Sequence, residues 1–312
     1  MTRKAKRIKR FVRRPFEWMG ILLALGAIVP LPRRAMLKLC DFISFVMYMF
    51  DSKGRARANS NLGIMFPGLS ERRKTLIVKR SYRNMSRTVG HAIWTMCFAR
   101  SRVASSGEVD AVCGKILADN PTLVTVSGHI GCWEILSQLA FLHGHKMMSV
   151  AKNIGTKSMT SLLMKSRRSI GQEIVAAEGA FKPLYSGIRS GKSLGLLVDQ
   201  VVDTKDGGIY VEFFGRPHSV SSAPAFFSAR AKVPIVVAWS RPLKDGRYRC
   251  EYLDYVTSEF SRDIWACTNR CIKNLERVIR RHPSCWVLNY NCFKSTPSDE
   301  EMAKLRKEIS SH

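Results

Sequence analysis

From Asn120-Pro121 onward the chain alternates short β-branched apolar runs with longer stretches of helical periodicity, and this alternation limits the fold more than any other feature. Thr122–Ser127 reads as a strand, and Gly128 permits a tight turn into a helical pattern over 132–142. Further strand patterns fall at 147–151, 173–177, 193–199, 234–240, 248–255 and 285–290, with an extended segment over 208–214. Helical patterns fill 156–168, 180–190, 221–231 and 260–281. Elements alternating at this length build an α/β fold: a mixed, mainly parallel sheet covered by helices. Upstream the pattern is helical. Ser70-Glu71 opens a long helix through about residue 98, 105–107 breaks it, and a shorter helix follows over 108–118. Asn59 to Pro67 reads as a connector closed by Pro67-Gly68. The chain divides into a basic N-terminus with a membrane anchor (1–34) and one domain over 35–312, mainly helical over 35–118 and α/β over 119–295.

Charge restricts the partners. The chain has 51 Lys and Arg against 24 Asp and Glu, a formal net charge of +27. Such a surface seeks nucleic acid, anionic lipid or a phosphorylated substrate. Residues 1–14 hold eight Lys or Arg and no acid, and Phe16 to Pro30 is then apolar apart from Glu17. That run is shorter than the roughly 20 residues of a comfortable span, so it reads as a tilted or shallow membrane helix or an interfacial anchor. A cleaved signal is disfavoured because Leu31-Pro32-Arg33-Arg34 follows without a small-x-small site. Residues 36–50 form a second apolar stretch, interrupted by Lys38 and Asp41, that suits a partly buried or membrane-lying helix. The nine cysteines are scattered without repeating spacing, which favours free thiols in a reducing compartment. Cys267 and Cys271 share a helix face as small core residues, and His143-Gly144-His145 lacks partner ligands, so neither metal nor cofactor is expected. No zinc-finger spacing, RNA-recognition motif or helix-turn-helix supports a nucleic-acid partner. Membrane lipid is the favoured one.

Ser127-Gly128-His129-Ile130-Gly131-Cys132-Trp133-Glu134 carries the chemistry. His129 falls in the strand-to-helix turn, where open α/β sheets place ligands and catalytic groups. Histidine is the side chain suited to take a proton near neutrality. On one continuous helix, residues five apart diverge, but with His129 in the turn and Glu134 on the first helical turn the two can converge. No serine sits in a G-x-S-x-G elbow. Cys132 beside the base admits a Cys-His nucleophile as the competing reading.

These blocks resemble the late acyltransferases of lipid A biosynthesis (the lauroyl/myristoyl type), a branch of the lysophospholipid acyltransferase group. The resemblance runs through Asn61-Leu62 and Phe66-Pro67, Gly128-His129 to Trp133-Glu134, Gly195 to Asp199-Gln200, Val211 to Pro217, Ala223-Pro224, and His282-Pro283 to Phe293-Lys294. Together they cover most of residues 1–294. Departures are Cys132 where the family has Asn, Val201 where Asp is common, and Leu288-Asn289-Tyr290-Asn291 in a block otherwise richer in Trp and Arg. They leave acceptor and acyl-chain preference open.

The resemblance implies acyl transfer from an acyl thioester, on acyl-carrier protein or as acyl-CoA, to a hydroxyl of a phosphorylated glycolipid acceptor. His129 would be general base and Glu134 its support, making Cys132 a lining residue. Gly131, Arg167 and Arg168 are candidate oxyanion donors. Asp199 and Gln200 line the site, organise its loops or support structure. Arg216, with Phe213 and Phe214, is a candidate for the acceptor surface, although the two phenylalanines individually suit a core better. Arg72, Arg73, Lys74, Lys79, Arg80, Arg83 and Arg87 form a basic helix face for carrier or phosphate. The implied location is the bacterial inner membrane, with the catalytic domain on its cytoplasmic face. A lysophospholipid acceptor fits less well, because Phe-Pro-Glu-Gly-Thr is absent from the chain; another glycolipid or an aminolipid stays open.

Overall fold

A computed structural model describes residues 26–151, 157–294 and 297–311. After residues 26–28, which are helical, the described chain runs through α1 (Arg33–Phe50), α2 (Ser52–Met65), α3 (Glu71–Trp94) and α4 (Ala99–Ser106). The sheet strands are β1 (Gly107–Val109), β2 (Val124–Ser127), β3 (Met147–Ala151), β4 (Glu173–Ala176), β5 (Ser193–Leu197), β8 (Ile235–Pro242) and β9 (Tyr248–Val256). Strands β6 (Gly208–Phe213) and β7 (Arg216–Ser221) form a separate antiparallel hairpin. Helices α5 (Ala111–Asp119), α6 (Trp133–Leu142), α7 (Lys157–Ser169), α8 (Phe181–Arg189), α9 (Ala223–Ala231), α10 (Ile264–Arg281) and α11 (Asp299–Ser311) complete the chain.

The sheet runs β1-β9-β8-β2-β5-β3-β4. Strands β8, β2, β5, β3 and β4 are mutually parallel, whereas β9 is antiparallel to β8. Alternation along β8 shows why both faces are covered. Ile235, Val237 and Trp239 enter the core shared with α9 and α10, while Val236 and Ala238 enter the core under α4, α5 and α6. The mixed, mainly parallel α/β expectation holds. The helical part is not set apart from the sheet, since Leu62, Val78 and Tyr82 join the same core as Val124 and Leu196.

Several local expectations change. Asn59 to Met65 belongs to α2 rather than to a connector, because Ala58, Leu62 and Met65 make an apolar stripe that buries. Asn61 is tolerated there because its amide donates to the carbonyls of Leu288 and Tyr290, at 2.8 and 2.7 Å. The break at 105–107 is the junction of α4 and the edge strand β1. Residues 285–290 do not form a sheet strand. They cross the His129–Gly131 loop instead, held by Val287 N–H on the His129 carbonyl and Gly131 N–H on the Cys285 carbonyl. Most of the N-terminal anchor lies outside the described residues. Among the described residues no helix is long and apolar enough to cross a membrane, so the fold carries no support for an anchoring span.

Candidate active site

Strand register builds the site. Ser127 at the end of β2 pairs with Leu197 at the end of β5, so two residues further on His129 faces Asp199. The carboxylate closes that approach twice, accepting the His129 backbone N–H at 2.8 Å and Nδ1–H at 2.8 Å. An ionised carboxylate has no proton to donate, so this bond places the imidazole proton on Nδ1 and leaves Nε2 as the basic nitrogen. The Trp286 indole N–H donates to Asp199 at 2.7 Å. Burial opposes the Asp199 charge, but the neighbouring imidazole, the indole and the His129 amide hold the carboxyl below its ordinary range. Asp199 is buried, whereas the His129 side chain is 22% exposed. At its Nε2, the Gln200 amide approaches to 3.4 Å. Trp133 meets the imidazole edge-on, with ring centroids 5.0 Å apart.

Glu134 is engaged elsewhere. Its carboxylate takes a bidentate pair from Arg167, at 2.9 and 2.7 Å, and the Trp133 indole N–H at 3.0 Å. Burial raises the Glu134 carboxyl, and Arg167, Trp133 and finally His129 more than offset this, holding it low. Arg167, near the end of α7, is held protonated against its own burial by Glu134. The sequence placed Glu134 behind the imidazole; the structure places Asp199 there and makes Glu134–Arg167 the adjacent wall.

The turn itself is tightly specified. Gly131 has φ +63°, and a Cβ there would run into the backbone carbonyl of Ser240 on β8. Its N–H donates to Cys285, the Cys132 N–H to Ser240 Oγ at 2.8 Å, and the Ile130 N–H to the Gly128 carbonyl at 2.7 Å. The amides of residues 129–132 are therefore all committed. This removes Gly131 N–H as an oxyanion donor. Helix α3 clamps the loop from outside: Thr88 Oγ1 donates to the Gly131 carbonyl at 3.1 Å, and Ser81 Oγ to the Trp286 carbonyl at 2.5 Å.

The family profile of bacterial lipid A biosynthesis acyltransferases matches residues 3–295. The chain belongs to that family. It is an acyltransferase of the lipid A type, implying a lipid acceptor and an acyl donor. Comparison with individually curated proteins gave no match.

In this acyltransferase the remaining predicted residues are spread out. Arg168 is exposed on α7. Arg216 is exposed at the first position of β7, in the hairpin rather than against His129. Phe213 and Phe214 are core, and Phe213 packs edge-on to Trp286 at 5.9 Å. Cys132 is fully buried and its thiol is pushed up to about 12, which argues against a thiolate nucleophile. Of the basic face on α3, Arg72, Arg73, Lys79, Arg80 and Arg83 are exposed, Lys74 pairs with Glu71 at 2.7 Å, and Arg87 is held by Asp41 at 2.6 Å. Sequence reasoning missed Trp286, Ser240 and Thr88 as parts of the site. Trp286 alone carried a signal, as the aromatic in the C-terminal block.

Proposed function

We propose that this acyltransferase moves a fatty acyl chain from a thioester, carried by acyl-carrier protein, to a hydroxyl of a phosphorylated lipid A precursor at the cytoplasmic face of the inner membrane. His129 is the general base. Its Nε2 takes the acceptor hydroxyl's proton as that oxygen bonds to the thioester carbonyl carbon. The carbon–sulfur bond then breaks, and the imidazolium returns the proton to the departing thiolate. Asp199 fixes the tautomer and faces the imidazolium, as the carboxylate does in a Ser-His-Asp triad, with the acceptor hydroxyl in place of the serine. Glu134 and Arg167 hold the wall beside the imidazole and bring a second carboxylate near the forming positive charge. Gln200, whose amide lies 3.4 Å from Nε2, is the donor placed to meet the acceptor or the developing oxyanion.

The observation that carries this reading is the Asp199–Nδ1 bond, which leaves Nε2 as the unprotonated nitrogen of a partly exposed ring. The basic surface supports an anionic lipid surface, a phosphorylated acceptor and an acidic carrier alike. The test is acyl transfer by purified protein from acyl-carrier protein or acyl-CoA to a lipid A precursor, with mass spectrometry of the product. His129→Ala should lose at least about a hundredfold in rate. Full activity in that variant would sink the mechanism. An unacylated lipid A precursor beside an acylated aminolipid or lysophospholipid would overturn the acceptor.

A further inference from the structure

Helix α1 has two faces of opposite character. Met36, Leu37, Cys40 and Ser44 are buried. That face is locked to α3 by the Arg87–Asp41 pair, by Ser86 Oγ donating to the Cys40 carbonyl at 2.8 Å, and by Gly90, where a Cβ would meet Cys40 Sγ. Phe42, Phe45 and Phe50 lie on the other side, 63%, 61% and 84% exposed, with Val46 and Met49 exposed among them. At 3.6 residues per turn, Arg34, Lys38, Phe42, Phe45 and Met49 fall in one stripe. Its first half is basic and its second half apolar. At the apolar end the cations come from neighbours: Lys53 and Arg57 are exposed on α2, and Arg55 and Lys79 both lie over the Tyr48 ring, at 5.2 and 5.4 Å.

A contiguous row of exposed Phe and Met marks an interaction surface rather than scattered apolar residues. Its cationic border selects the occupant. A second copy would set Arg34, Lys38, Lys53 and Arg57 against their own kind, on a chain already at +27. An anionic bilayer satisfies both parts, with phosphates for the cations and hydrocarbon just beneath for the rings. In the sequence, α1 follows directly on the apolar run that ends at Pro30.

We propose that α1 lies along the interface of an anionic bilayer, with Phe42, Phe45, Val46, Met49 and Phe50 immersed and Arg34 and Lys38 reaching the headgroups. The choice of bilayer as occupant rests on the membrane-associated reading above. Site-directed spin labelling of the full chain tests it, in a Cys97→Ser background that removes the exposed native thiol. Labels at Phe42→Cys, Phe45→Cys and Met49→Cys should become oxygen-accessible and shielded from aqueous relaxant in phosphatidylglycerol-containing vesicles, whereas a label at the exposed Glu259→Cys stays aqueous. The F42S/F45S/M49S variant should partition about tenfold or more weakly into those vesicles, with its thermal melting unchanged.

Aqueous labels at all three positions on protein that still sediments with vesicles would overturn the placement while leaving membrane association standing. Failure to sediment would overturn both. Equal immersion in purely zwitterionic vesicles would remove the role of the cations. Label–label broadening without lipid would assign the face to a second copy instead. Acyl transfer in detergent micelles is measured separately, so loss of the catalytic reading is distinguishable from any of these.

Discussion

Asp199 holds His129 at two points, its backbone N–H and its Nδ1, and both bonds are 2.8 Å. The backbone bond fixes the loop and the ring bond fixes the tautomer, so one buried carboxylate couples fold to chemistry.

Asp199→Asn keeps the size of this group but changes its hydrogen-bonding sense. An amide that turns its oxygen to the backbone N–H and to Trp286 presents NH2 to Nδ1, which then carries the lone pair and leaves Nε2 protonated. The variant should fold and lose on the order of a thousandfold or more in kcat, by analogy with triad carboxylates. Steady-state kinetics beside a near-native circular dichroism spectrum is the check; near-normal kcat would move the orienting role elsewhere.

Trp286→Phe removes one donor from Asp199 while keeping an aromatic against Phe213. The carboxyl is depressed in the folded state, so its stabilising contribution is present above the unfolded value near 3.8 and is lost as pH falls through the lower folded value. Removing the donor narrows that gap. The variant should be less stable at pH 7 by about 1–3 kcal/mol and lose less of its stability on acidification below pH 4. Denaturant titrations at pH 7 and pH 3 check both signs.

The alternation of elements was legible because period-two and period-3.6 patterns follow from the sequence, and the His129 turn was legible because Gly128 stands between a β-branched run and a helical one. The pairing of His129 with Asp199 was not. It depends on β5 lying beside β2 in a particular register, and periodicity carries no information about neighbours. Trp286-Val287-Leu288 reads as a strand whether it enters a sheet or crosses a loop, since the residues suit extended backbone in either place. Asn59 to Pro67 reads as a connector because its polar residues and closing Pro67 outweigh the stripe of Ala58, Leu62 and Met65. Only the carbonyls of Leu288 and Tyr290, more than 200 positions away, explain a buried Asn61.

Glu134 and Arg167 should behave as one unit. Both side chains are largely buried, and each is the other's main partner. Arg167→Met leaves a buried carboxylate without its counter-ion and should cost about 3–5 kcal/mol. The double variant E134Q/R167M should recover much of that loss. The rate deficits of E134Q and R167M should be similar and far from additive, because either change opens the same wall. A double-mutant cycle on stability and kcat measures this; strictly additive effects would separate the two residues.

His91 sets an acid limit on the fold. It is buried near the C-terminal end of α3, with Nε2 3.2 Å from Gln138 Oε1, and burial pushes the imidazole down to about 4 from 6.5. The unfolded chain therefore takes up a proton at His91 below about pH 6.5, whereas the folded chain resists until about pH 4. The stabilising effect of the neutral ring is complete above that window and falls as pH drops through it, by about 3 kcal/mol in all. His145, His218 and His282, also depressed by burial, act in the same direction. His91→Asn should be destabilised at pH 7 by the cavity it leaves, yet its stability should decline less steeply between pH 6.5 and 4 than that of the unaltered protein. Denaturant midpoints across that range test it, and parallel curves for the two proteins would show that His91 gains its proton without unfolding.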